Sequence, residues 1–180
     1  MPFCKKTLSL ALLILLWPLT LWSAPIVLHQ PQLQEHQHQL SLSAFTEYDF
    51  SEALVEALEH GYPIEWTLHI QVINSQTQLT EHQLDYEFSV QYRPLTQTYF
   101  IRNKTLNKSR DCRNLSRALF TLGSLQHLPI IDLNALKPKT DYEVRLQFKW
   151  QQQKLPLTLN LMNFFNDDWT LYSEPYTLKY

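Results

Sequence analysis

Ile64-Glu65-Trp66-Thr67-Leu68-His69-Ile70-Gln71-Val72 alternates apolar and polar side chains without a break. Successive side chains of an extended chain point to opposite faces, so this pattern predicts a strand with one face in a core and one in water. Two further segments repeat it. Leu84, Tyr86, Phe88, Val90 and Tyr92 alternate with Asp85, Glu87, Ser89 and Gln91, and Tyr142, Val144, Leu146, Phe148 and Trp150 alternate with Glu143, Arg145, Gln147 and Lys149. One-sided strands of this kind belong to antiparallel sheets, and a second layer must cover their apolar faces. The expected fold is mainly β: an antiparallel β-sandwich with two short helices.

Weaker strand signals surround these three. Leu40, Leu42 and Ala44 alternate before Tyr48, and the polar stretch Gln30–Gln39 reads as an approach to them. Tyr99–Arg102 is expected to return antiparallel to Leu84–Tyr92 through Arg93-Pro94-Leu95-Thr96, where Pro94 pre-sets a turn angle. Leu155, Leu157, Leu159 and Leu161 alternate, with Pro156 pointing to a sheet edge. Trp169–Tyr172 and Tyr176–Tyr180 close the chain.

Two helices interrupt the strands. Asp49, with Glu52 three residues on, has the spacing of a capping box, and Phe50, Leu54, Ala57 and Leu58 form a stripe that stops at Gly61. Leu115, Ala118, Leu119, Leu122 and Leu125 form a second stripe from about Asn114, which Pro129 bars from continuing.

The N-terminus carries a different message. Lys5 and Lys6 precede the apolar run Leu8–Trp22, followed by the small residues Ser23 and Ala24. These are the three parts of a secretory signal. The run would make roughly 22 Å of helix, short of the ~30 Å hydrocarbon core of a bilayer. Residues 1–23 therefore read as an export signal, with an inner-membrane tether through residues 8–22 as the alternative. Neither Ser23 nor Ala24 provides a good small-x-small cleavage site, so both remain open. Residues 24–180 form one domain, with a net charge of −4 and no run of like charge, which argues against nucleic acid and anionic lipid surfaces as partners. Cys4 precedes the apolar run and is no lipoprotein cysteine. Once the signal is removed, Cys112 has no partner in the chain, so stability must come from core packing.

Chemistry-bearing motifs are scarce. Gly61 and Gly123 are the only glycines. Phosphate-cradling loops, dinucleotide fingerprints and nucleophile elbows all need more glycine than that. His36 and His38, two apart, would share one side of a strand, with His29, His69 and His82 as further metal ligands, but nothing fixes their approach. Asp167-Asp168-Trp169 reads as a turn; a hydrolase would require these carboxylates or the histidines to converge in a cleft. No enzyme, cofactor or metal is expected. Asn103, Asn107 and Asn114 begin glycosylation sequons, which carry meaning only in a eukaryotic secreted protein.

Taken in order, these segments resemble a family of exported bacterial proteins, domain of unknown function DUF4390. The resemblance rests on the helix running from Phe50 into Gly61-Tyr62-Pro63 before the strand Ile64–Val72. It rests further on Tyr92, Leu95 and Tyr99 of a hairpin, and on the leucine-rich helix Leu115–Leu125 with Pro129 ahead of Tyr142–Trp150. Trp169, Leu171 and Ser173 before a terminal aromatic segment complete it. Lys104–Arg113 departs from the pattern, being more basic and polar. The resemblance implies a periplasmic domain, exported or tethered to the inner membrane, with no assigned reaction; members are often encoded beside membrane sensor kinases. The expected role is non-catalytic binding of a protein or ligand of the cell envelope through exposed aromatics, Tyr176 and Tyr180 among them. The alternative is carriage of a lipid or other apolar molecule between the sheets.

Overall fold

The computed structural model describes residues 24–150 and 171–180. Among the described residues, nine strands form two antiparallel sheets. The smaller has the order β1-β2-β7, from Ile26–His36, Gln39–Tyr48 and Ser124–Asp132. The larger has the order β6-β5-β4-β3-β8-β9. Its strands are β3 (Ile64–Asn74), β4 (Thr80–Arg93), β5 (Thr98–Asn103), β6 (Lys108–Cys112), β8 (Tyr142–Trp150) and β9 (Tyr176–Lys179). Two helices, α1 (Glu52–Glu59) and α2 (Leu115–Gly123), complete the β-sandwich. The three strongly alternating segments are β3, β4 and β8, with β3 in the middle: Leu68 pairs with Tyr86 on one side and Phe148 on the other.

The apolar phases of these central strands meet in the core. Trp66 is fully buried and lies 6.2 Å from Phe88, 5.1 Å from Tyr48 and 5.9 Å from Phe50, ring centre to ring centre. Phe148 joins Tyr48 and Phe88 at 6.2 and 6.3 Å. Offset and edge-on pairs at such spacings add about 0.5–1.5 kcal/mol each beyond the area they bury. Burial raises the Tyr48 phenol well above its ordinary value, an effect that the neighbouring Trp66 and Thr46 oppose only in part. None of these three polar atoms meets hydrogen-bond geometry. The opposite phase of β3 and β4 is only partly wet: Thr67 and Ser89 are buried, while His69 Nδ1 lies 2.7 Å from Asp85 Oδ1 across the outer face.

Several local expectations are corrected. Ser51, not Asp49, caps α1, its Oγ accepting from the Leu54 amide. The second helix starts where expected, with Asn114 as its cap, but it ends at Gly123 and Leu125 belongs to β7. Gln30–Gln39 is no approach: most of it is β1, which turns into β2 through Gln37 and His38. Both turn residues have positive φ, 50° and 61°, the backbone that a two-residue hairpin turn requires. His38 thus leaves the strand and does not share a face with His36. Leu155–Leu161, Trp169 and residues 8–22 lie outside the described residues; of Trp169–Tyr172, Leu171 is buried and Tyr172 bridges to Lys149.

Gly123 shows why one glycine is indispensable. A Cβ there would overlap the backbone carbonyl of Thr46 in β2, and a carbonyl cannot swing aside as a side chain can. The missing side chain lets α2 end flush against β2. Gly123→Ala is expected to lower unfolding free energy by about 3 kcal/mol or more, the upper range for overpacking. Gly61, with φ of 84° and open space around its α-carbon, should lose only about 1–2 kcal/mol as alanine. Urea unfolding of both variants tests the order of these two effects.

Candidate functional site

The two sheets are unequal, and the inner face of the larger one is finished by α1 and α2. Leu54, Ala57 and Leu58 are buried from α1, and Ala118 and Leu122 from α2. Where α2 and β7 fall short of the edge strand β6, a cleft of about 440 Å³ stays open. Phe88, Ile101, Leu122, Leu125 and Leu128 form its wall, each 6% exposed or less. Lys108 and Arg110 of β6 stand at its mouth, both exposed, and no Asp or Glu lines it. Its size falls in the roughly 300–1,000 Å³ range of small-molecule sites.

The β5–β6 hairpin that makes this mouth comes from the segment flagged as too basic, Lys104–Arg113. Asn103 Oδ1 accepts from the Leu106 amide at 2.9 Å, and Asn107 takes φ of 52° while accepting from Arg102 at 3.2 Å. Asn114 accepts from the Arg117 amide at 2.9 Å as the helix cap. All three sequon asparagines therefore shape local backbone. Cys112, opposite Tyr99 on β6, is buried and unpaired among the described residues.

Two tyrosines join the layers at opposite margins. Tyr86 donates to the carbonyl of Pro129 in β7 at 2.5 Å, and desolvation pushes its phenol up to about 12. Tyr180 donates to Glu35 of β1 at 2.8 Å; partial burial first, then that carboxylate, raise its ionisation above the ordinary phenol value. Tyr176 pairs with Leu146 on the inward phase of β9, and both Tyr176 and Tyr180 keep about two-fifths of their surface exposed. They flank one end of the larger sheet, remote in strand order from the cleft at β6.

The histidines do not converge. His69 faces Asp85 on the outer face, His29 faces Glu47 on the smaller sheet, and His82 pairs with Val72 near the start of β4. His36 stacks on His127 with ring centres 4.4 Å apart. Among the described residues no group of three or more His, Cys, Asp or Glu could hold a metal. Asp167 and Asp168 lie outside the described residues. Among the described helices none is long and apolar enough to cross a membrane.

The described residues thus make a mainly β, two-layer antiparallel sandwich with a cleft at one sheet edge. The family model described as domain of unknown function DUF4390 matches residues 23–179, and the chain belongs to that family. No curated protein and no solved structure matches it.

One polar knot has a structural task. Glu81 accepts from Lys137 at 2.8 Å and Asn74 at 3.1 Å through one oxygen, and from the Tyr142 hydroxyl at 3.1 Å through the other. The Lys137 hydrogen bond, followed by that from Asn74, holds the Glu81 carboxyl below its usual range. A depressed carboxyl stabilises the fold above its unfolded pKa, and this contribution fades as pH falls through the folded value. Glu81→Gln is therefore expected to melt earlier than wild type at pH 7, with the gap closing below about pH 4. A gap that persists at acid pH would mean that shape rather than charge holds this knot.

Proposed function

We propose that this protein is an exported, non-catalytic binding protein of the bacterial cell envelope that takes an apolar ligand into the β6–α2–β7 cleft. The observation that carries this reading is the wall of that cleft. Five large apolar side chains border a space that solvent can enter, where a finished sandwich would have closed sheet on sheet. Each of the five is already 6% exposed or less, so what a ligand would add is packing contacts in the unfilled hollow rather than newly dried surface. Export is supported by the basic, apolar and small segments of residues 1–23, which leave either a free periplasmic protein or one tethered at the inner membrane. Native mass spectrometry of protein purified from the envelope should show a bound apolar mass that organic solvent strips. Repeated apo spectra from such preparations would sink this reading, as would recovery of the protein from the cytoplasmic fraction.

A second reading, docking of an envelope protein at Tyr176 and Tyr180, is favoured by their exposure beside the edge strand β9. Edge strands offer unpaired backbone groups to a partner strand. Tyr176→Ala should weaken recovery of a crosslinked partner without shifting the melting temperature. An equal loss of both would make Tyr176 a packing residue; Tyr180, tied to Glu35, is the poorer probe.

A further inference from the structure

We infer that the ligand of the β6–α2–β7 cleft is an amphipathic anion, an acyl chain lying on the apolar wall with its charged head at Lys108 and Arg110; this rests on the reading of the cleft as a binding site. The register of β6 sets the direction of both bases. Arg110 pairs with Ile101 and Lys108 with Asn103, and Ile101 is buried against the core, so both side chains leave β6 on the cleft side. Neither has an ion-pair or hydrogen-bond partner among the described residues.

Two neighbouring bases are treated differently. Arg93 pairs with Asp111 at 3.4 Å, and Lys104 with Glu65 at 2.5 Å. Two cations without an ion-pair partner among the described residues stand beside a hollow whose lining holds no carboxylate, and charges more than a Debye length away, ~8 Å, are largely screened. Charge on an edge strand, inward-pointing charge included, also discourages strand pairing, but that purpose does not require a hollow beside the bases. A neutral hydrocarbon would leave both cations unused, and a small bare anion would leave the wall unused. A carboxylate or phosphate head on an acyl chain uses both, with Arg110 able to grip it through two parallel N–H donors. A single amphiphile held this way needs no basic surface, which the sequence lacks.

The test uses protein purified from the envelope, delipidated, and titrated with trans-parinaric acid, a fluorescent fatty acid, and with its methyl ester. The acid should bind saturably and about tenfold more tightly than the ester. Added salt should erode only that preference. The double variant Lys108→Ala/Arg110→Ala and the single Arg110→Glu, both at exposed positions, should lose the preference while ester affinity stays. Equal binding of acid and ester to wild type, or a preference that survives in the variants, overturns the anionic head but leaves apolar binding standing. Absence of binding by either probe overturns both. Capture of an acidic leucine-rich peptide by protein that ignores the fatty acid overturns the acyl chain.

Discussion

A six-stranded sheet whose central strands carry one greasy face is wider than three strands can cover, and the rest of this structure answers that mismatch. The smaller sheet covers part of the inner face, and the helices take over towards β4, β5 and β6. Gly123 is the hinge of the solution, because α2 must end against the Thr46 backbone before the chain can enter β7. Two tyrosine hydrogen bonds, Tyr86 to Pro129 of β7 and Tyr180 to Glu35 of β1, tie the larger sheet to the two edge strands of the smaller one. The cleft beside β6 is what remains uncovered.

The same constraint explains which parts of the fold were legible. β3, β4 and β8 lie next to one another in mid-sheet, and unbroken alternation marked them clearly. β1 and β7 were hidden by bulges. In β1 the register shifts between His29 and Gln32, with Gln30 at φ of 45°, so Ile26 and Leu28 fall out of phase with Leu33. In β7 a shift around His127 places Leu125 and Leu128 three residues apart, a spacing that imitates a helix and led the second stripe one element too far. β6 has four exposed residues in five and no apolar pattern to read. The hairpin at Gln37-His38 lacks the Asn-Gly signature of its turn.

The cleft was legible only in halves. Leu122, Leu125 and the basic character of Lys104–Arg113 were visible in the sequence, but their meeting depends on β6 lying at one edge of the large sheet and β7 at one edge of the small one. No local pattern encodes that strand order. The family's description assigns no activity, so the reading of the site rests on its own chemistry.

Cys112 occupies the last rung of an edge strand, sealed against Tyr99 beneath α2. A sulfur in that position meets oxidants only when β6 lifts, an excursion far smaller than whole-domain melting. Oxidation of this one thiol is thus gated by the breathing of a single ribbon.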